Sequence, residues 1–278
     1  MTLDPTLRDL LADPVDHGPL TDTADGLVNP RTAARYPVRD GLAALLPEAG
    51  AAGALPTAAF DGVADWYDDV MQDPDRHGPL TALVNDLVAG ELGRGPGLVL
   101  DVACGTGLSP RWLTPLGWTV LGVDYSADQV GIARTRLPAV QGDAAALPFR
   151  TGSLDAVITT FSAAPDHDGA VREAARVLRP GGLHVAVFVH PVLNGGFSTH
   201  APDGSVLVDP GYLQVAHRGP DQHATTIRGR VGSRHLPLDA RLAPYPAAGL
   251  RLRTFREIGE QPGALPSSIL TTWTREDA

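Results

Sequence analysis

The chain has no lysine. All 22 of its basic residues are arginine, against 32 acidic ones, and the net charge is −10. Nucleic-acid binding draws on a basic surface, so this balance argues against such a partner, although a local arginine patch stays open. Cysteine is almost missing too. With Cys104 alone, neither an internal disulfide framework nor a thiolate zinc cage can form, and a cytoplasmic compartment is expected. No uninterrupted apolar run approaches the roughly 20 residues of a membrane span, so no membrane partner is expected. The opening "MTLDPTLRDLLADP" is acidic and broken by proline, unlike a secretory leader. The nine histidines show no His-x-x-x-His spacing, and no metal is expected. There is no internal repeat.

What is present is ample apolar material. It makes up 43% of 278 residues, enough for one sizeable domain with a small appendage. Three regions separate. Residues 1–50 are rich in Asp and Pro and close with "ARYPVRDGLAALLPEAG". The small, flexible composition around "AAGALPTA" makes 51–59 a linker. Residues 60–278 form the main domain, with an insertion over 191–234 that starts Gly- and Pro-rich.

The main domain alternates. "LVLDV", "WTVLGVD", "AVQGD", "LDAVITTF" and "LHVAVFVH" read as strands. "LSPRWLTPL", with Ser109 before Pro110, reads as a helix. So do "SADQVGIARTRL", capped by Ser126, and the amphipathic "DGAVREAARVL", stopped by "RPGG". "HLPLDARLAPYPAAG" reads as a helix stopping near Pro244. "LRLRTFREIG" and "SSILTTWTRE" read as a closing antiparallel pair, with Arg251, Arg253 and Arg256 on a solvated face. Strands joined by helical crossovers predict an α/β fold: a doubly wound, mostly parallel, seven-stranded sheet with a small β-rich N-terminal appendage. Ligands of such sheets bind beyond the carboxyl ends of the strands.

Those ends carry acids in succession. Strand one ends at Asp101, before the loop "ACGTG" with Gly105 and Gly107. Strand two ends at Asp124 and strand three at Asp143. A lone acid at a strand end is more often a helix cap, and a lone glycine loop more often a tight turn. Three acids together suit an adenosine: Asp124 accepting from a ribose diol, Asp143 from an adenine amino group, and the Ala144 N–H donating to a ring nitrogen. A dinucleotide loop needs a third glycine, and here "CGTGLSP" has none.

Across this middle region, "LDVACGTG", "VLGVDYS", "VQGDAAALPFRTGSLDAVITTF" and "REAARVLRPGG" resemble the class I S-adenosylmethionine-dependent methyltransferases of the ubiquinone/menaquinone type, in order and at normal spacing. The resemblance implies S-adenosylmethionine as cofactor. It implies that Ala103, Gly105 and Gly107 pass their backbone close to the methionine and ribose, and that Asp101 orients the loop and holds the amino group. Asp124 would bind the ribose hydroxyls, and Tyr125 would pack on the adenine near Gln129. Gly142, Asp143 and Ala144 would read the adenine edge, and the Thr160 carbonyl would face the ammonium. "FDGVADWYDDV" resembles the helix that lies across the cofactor in these enzymes. Tyr67 on it suits either the sulfonium and substrate or simple core packing; Trp66 suits packing.

A second resemblance covers residues 1–50. "GPL" and "YPVRDGLAALLPE" resemble the small zinc-ribbon domain of rRNA guanine methyltransferases. The four cysteine positions of that domain fall on Asp13, Asp16, Asn29 and Thr32. Such a set is too hard and too weak for structural zinc. The domain is therefore expected to be metal-free and to serve as a lid or wall over a small-substrate pocket.

Methyl transfer needs positioning, and a base only where the acceptor must lose a proton. His190 after strand five and His235 in "RVGSRHLPL" are the candidate bases, His167 ranking below them. Phe161, Tyr212 and Tyr67 join both histidines as the candidate substrate wall. Each histidine equally suits a loop-bracing role. Three readings remain: methyl transfer to a small molecule such as a specialised metabolite; transfer to an rRNA or tRNA base, favoured if Arg111, Arg228, Arg230 and Arg234 converge; and a cofactor-binding protein of this fold that transfers nothing. A homodimer is left open.

Overall fold

A computed structural model describes residues 3–47, 58–73, 75, 78–162, 164–224, 226–259, 261 and 264–277. Most of the linker at 51–59 lies outside them. The N-terminal region holds α1 (Pro5–Leu10) and four short strands, β1 (Thr21–Thr23), β2 (Gly26–Val28), β3 (Arg35–Arg39) and β4 (Leu42–Leu45). Helices α2 (Ala64–Gln72) and α3 (Gly78–Leu92) follow. The alternating part comprises β5 (Gly97–Val102), α4 (Pro110–Leu113), β6 (Trp118–Asp124), α5 (Ala127–Ala133), β7 (Ala139–Gly142), β8 (Leu154–Thr160), α6 (His167–Val177) and β9 (Leu178–Val189). The insertion contributes β10 (Ser198–His200), β11 (Val206–Val208), β12 (Ala216–Arg218), α7 (Ile227–Val231) and β13 (Ser233–His235). The chain closes with α8 (Leu238–Leu242), α9 (Pro244–Ala247), β14 (Leu250–Ile258) and β15 (Ser268–Arg275).

The strand periodicity divides the core in two. Leu100, Leu121, Val123 and Val157 face α6 through Val171 and Ala174. Val99, Val120, Ile158 and Val185 face α3 and α5 through Val84, Val88 and Val130. Neighbouring strand residues point to opposite faces, so near-continuous apolar runs feed both layers. The seven expected strands are present in the order β7-β6-β5-β8-β9-β15-β14. β5 pairs in parallel with both β6 and β8, so the chain order reverses there and a crevice opens beyond the strand ends.

The appendage is not a separate layer. β4 runs parallel to β7, pairing Ala44 with Gln141 and Leu45 with Gly142, and the sheet continues through β1–β4 to eleven strands. Leu7, Leu11, Leu27 and Tyr36 pack into the same core as Val140, Leu147 and Phe149. The appendage thus covers the edge that β7 would otherwise expose. It extends the sheet beyond β7.

Two turns of like geometry face each other within it. The Asp13 carbonyl accepts from the His17 N–H at 2.9 Å, and the Asn29 carbonyl from the Ala33 N–H at 2.8 Å. His17 and Ala33 both take left-handed backbone, at φ 56° and 63°. Between the turns, the Asn29 amide donates to Asp13 Oδ2 and to Asp16 Oδ1, each at 2.8 Å. The Tyr36 hydroxyl donates to Asp13 at 3.0 Å, and Arg31 pairs with Asp16 at 2.9 Å. Thr32 stays outside this centre, its hydroxyl accepting from the Ala34 N–H. Asn29 is fully buried. Its replacement by alanine removes a charge-assisted bond to buried Asp13, worth about 2 kcal/mol. For a chain of this size that lowers the melting temperature by about 4–8 °C, read by calorimetry; an unchanged midpoint contradicts this role.

Three local readings change. β9 starts at Leu178, five residues before the expected "LHVAVFVH", because "RPGG" forms an irregularity inside the strand, with Gly181 at φ 76°. The helix expected to stop near Pro244 is two short helices, with Pro244 opening the second. Ser109 sits at the cap position of α4 but makes no side-chain cap bond, whereas Ser126 Oγ accepts from the Gln129 N–H at 3.2 Å.

Candidate cofactor cradle and active site

Beyond β5 the backbone turns sharply. Ala103, Gly105 and Gly107 all take left-handed conformations, at φ 59°, 55° and 77°. A non-glycine residue there carries local strain of about 1–2 kcal/mol. The two glycines have different reasons to be bare. A Cβ on Gly107 would run into Leu137 and lie 3.0 Å from Ala133, so Gly107 lets α5 pack. A Cβ on Gly105 would point instead to Tyr67 at 3.3 Å and the Gln129 amide at 3.6 Å, on the crevice side. Gly142 resembles Gly107, with Val123 and Pro148 against it. Cys104 is buried, its sulfur beside Gly122, and burial holds the thiol well above its usual range. It is a packed side chain.

The acids around Gly105 are unusual. Asp101 is 4% exposed, and its Oδ1 has no hydrogen-bond partner. Burial pushes its pKa up to about 7, the Ser109 hydroxyl opposing and the Asp124 charge adding to the rise. Asp124 Oδ2 accepts from the Gly105 N–H at 2.9 Å and Oδ1 from the Ser126 N–H at 3.0 Å. Burial raises the Asp124 pKa against these bonds. Gln129 is buried with both amide atoms unpartnered. A buried carboxylate oxygen and a buried amide without partners are costly. Both are met by a ligand carrying an ammonium and hydroxyl groups, so the residues present fit the cofactor that the sequence implies.

Helix α2 lies over this cradle and is pinned from several sides. Arg136 donates to both oxygens of Asp68, at 2.6 and 2.7 Å, and to the Thr106 carbonyl at 2.8 Å. Ser126 Oγ donates to Asp61 at 2.5 Å, the Gly62 N–H to Asp128 at 2.7 Å, and Arg111 to Gln72 at 2.6 Å. Phe60 meets Tyr67 edge-on, ring centroids 5.6 Å apart. Burial, with the Asp124 and Asp101 charges, raises the Tyr67 pKa and keeps its hydroxyl protonated. Tyr67 therefore sits at the cradle as well as packing in it.

The other expected residues distribute as follows. Asp143 Oδ1 accepts from the Ala145 N–H at 2.8 Å, shaping the turn that carries Ala144 beyond β7. The Tyr125 carbonyl accepts from the buried Gln141 amide at 3.0 Å. Thr160 ends β8, and Phe161 after it is left-handed, at φ 55°, and 40% exposed.

His190 is braced on both nitrogens. Nδ1 accepts from the Leu193 N–H at 3.2 Å, so Nε2 carries the proton and donates to Glu257 on β14 at 3.0 Å. His235 is different. Its Nε2 donates to the Tyr212 carbonyl at 2.8 Å, which leaves the Nδ1 lone pair buried and unpartnered, facing Gly195. Phe197 and Tyr212 hold the ring edge-on, at 4.8 and 5.3 Å. The Tyr212 hydroxyl accepts from the Leu238 N–H at 3.0 Å. His167 Nε2 donates to the Arg241 carbonyl at 2.8 Å, and burial lowers its pKa. An open cavity of about 700 Å³ lies between α2 and the insertion, lined by Val63, Pro220, Asp221, Gln222, His223 and Arg230.

Among the described residues, no group of three or more histidine, cysteine or acidic side chains could hold a metal ion. None of the described helices is long and apolar enough to cross a membrane. The sequence missed Asp61, the Asp68–Arg136 clamp and Glu257 as the partner of His190. Each contact spans more than sixty residues, and no local pattern announces it.

Comparison with known proteins gives the family. Residues 100–186 match the family described as a methyltransferase domain. Demethylmenaquinone methyltransferase of Renibacterium salmoninarum is 40% identical over 149 residues, covering 51% of this chain and 62% of that protein. Its namesake from Mycolicibacterium paratuberculosis is 34% identical over 178 residues, covering 59% of this chain and 72% of that protein. An S-adenosylmethionine-dependent methyltransferase structure from Mesorhizobium loti superposes with a TM-score of 0.57 at 20% identity, covering 77% of this chain and 99% of that one. This chain belongs to the class I S-adenosylmethionine-dependent methyltransferases, and fold and family imply S-adenosylmethionine as its cofactor. It spans about three-fifths of the length of several such curated relatives.

Proposed function

We propose that the protein transfers a methyl group from S-adenosylmethionine to a small-molecule acceptor, within the cytoplasm. The observation that carries this reading is the cradle itself: an unpartnered buried Asp101 oxygen and an unpartnered Gln129 amide flank a bare Gly105 under Tyr67. The cofactor supplies an activated methyl group, and the protein's part is orientation, exclusion of water and proton handling. Asp101 takes the amino group, Asp124 the ribose hydroxyls, and the Asp143–Ala144 turn the adenine edge. Tyr67 closes the methyl side, and Phe161 lines the way in. The relatives named demethylmenaquinone methyltransferase support a small acceptor.

His235 is the base in this reading. The Tyr212 carbonyl fixes its tautomer, and Nδ1 is free to take a proton from the acceptor. His190, with both nitrogens committed, positions the end of β9. Labelled S-adenosylmethionine offered together with low-mass acceptors and with rRNA is expected to label only the low-mass fraction. Label in rRNA, or in neither, overturns the proposal. His235→Gln is expected to slow transfer by roughly 10²–10⁴-fold with binding of S-adenosylhomocysteine unchanged; a rate within threefold of the parent removes His235 from this role.

The N-terminal region is, in the same reading, a zinc ribbon that has exchanged its metal for hydrogen bonds. The two matched turns and the Asn29 amide between Asp13 and Asp16 support this. Its work is to seal the β7 edge.

A further inference from the structure

Several arginines elsewhere in this acid-rich chain find carboxylates. Arg8 pairs with Asp22, Arg31 with Asp16, Arg136 with Asp68 and Arg176 with Glu173. Around the insertion they do not. Arg234 donates to the Pro165 and Ala164 carbonyls after β8, and its Nε is buried without a partner. Arg241 places its guanidinium 4.8 Å above the Phe188 ring at the end of β9, and its Nε is also buried and unpartnered. Arg228, nearer the surface, donates to the Asn194 carbonyl at 2.8 Å. None of the three pairs with a carboxylate among the described residues.

Arg241 lies within reach of the other two charges. Burial holds Arg241 below its usual pKa range, and the Arg234 and Arg228 charges push it further. Unneutralised buried charge of one sign is costly and is kept only where something supplies the opposite charge. All three lie beyond the ends of β8 and β9, on the same edge of the sheet as the cradle. Planar guanidinium forks with free Nε–H donors match a carboxylate, which accepts two parallel bonds.

We infer that the acceptor is a small carboxylic acid, held by Arg234 and Arg241 with Arg228 at the rim. This rests on the methyltransferase reading and names its substrate class. A nucleic acid is the weaker occupant. The free Nε atoms are enclosed, and of the four arginines that would mark an RNA face only Arg228 and Arg234 join this group. Arg111 turns to Gln72, and Arg230 stacks 4.4 Å over Trp66.

The test is calorimetry with matched acids and amides: benzoate and benzamide, cinnamate and cinnamamide, indole-3-acetate and indole-3-acetamide. Each is titrated into the protein with and without saturating S-adenosylhomocysteine, beside a short rRNA hairpin. At least one acid is expected to bind tenfold or more tighter than its amide. That preference is expected to fall at least tenfold in Arg234→Gln/Arg241→Gln, with affinity for S-adenosylhomocysteine held within twofold. Arg228→Gln, on the exposed side, gives a smaller loss in the same direction and serves if the double variant fails to fold. No preference for any acid, a preference that survives substitution, or tighter binding of the hairpin overturns the inference. So does a parallel loss of S-adenosylhomocysteine binding, which assigns the arginines to the cofactor's own carboxylate. Failure to bind S-adenosylhomocysteine at all counts against the methyltransferase reading instead, and the ligand-free titrations still decide this one.

Discussion

Asp124→Ala is expected to weaken binding of S-adenosylhomocysteine about ten- to a hundredfold while the chain stays folded. Each carboxylate oxygen already accepts one backbone N–H, from Gly105 and from Ser126. A carboxylate offers about four acceptor positions, and the Tyr125 N–H also acts on this group, so at least one position is left for a ribose hydroxyl. One hydrogen bond to a charged group is worth about 1.5–3 kcal/mol, which is about one to two decades in the dissociation constant. Asp124→Asn should bind scarcely better than Asp124→Ala, because the new amide NH₂ must face either the Gly105 or the Ser126 N–H, a donor against a donor. Isothermal titration of both variants checks this. An Asp124→Asn protein that binds within fivefold of the parent removes Asp124 from the ribose site.

Asp101 should make cofactor binding depend on pH. Its pKa is pushed up to about 7 by burial, so below that pH the ligand-free protein holds it protonated. An incoming ammonium needs the carboxylate and lowers its pKa, so binding releases a proton. Affinity for S-adenosylhomocysteine is then expected to rise as pH rises toward 7, by up to tenfold per unit, and to level off above it. Folding runs the other way. An acid whose pKa is raised in the folded state lends stability that is full below the unfolded value, near 4. That stability is lost as pH climbs from there through about 7. Asp101→Asn should therefore raise the melting temperature of the free protein at pH 8, lower its cofactor affinity at least tenfold, and weaken the pH dependence of binding, leaving only what Asp124 contributes. Titrations in buffers of different ionisation enthalpy report the released proton directly. A flat affinity between pH 6 and 8 in the parent contradicts the assignment.

Much of this was legible in the chain, and for physical reasons. The parallel strands are continuous apolar runs, and the acids that end them sit at fixed places in the sequence, so Asp101, Asp124 and Asp143 could be placed on one edge before any coordinates. Two glycines that look alike in "ACGTG" turned out different, since only packing separates Gly105, facing Tyr67 and Gln129, from Gly107, closed by Leu137 and Ala133. His190 and His235 looked equivalent as loop histidines. What distinguishes them is a carboxylate on β14 for one and a backbone carbonyl in the insertion for the other, both supplied by the tertiary fold. The appendage's place in the sheet was equally hidden, because β4 is four residues long and its partner is chosen by edge geometry.

The most direct measurement is a crystal structure of the complex with S-adenosylhomocysteine. The ribose hydroxyls are expected on Asp124, the amino group on Asp101 with Gln129 beside it, and the sulfur under Tyr67, opening toward Arg234 and Arg241. A ligand bound elsewhere, or one whose sulfur faces away from those arginines, contradicts this placement.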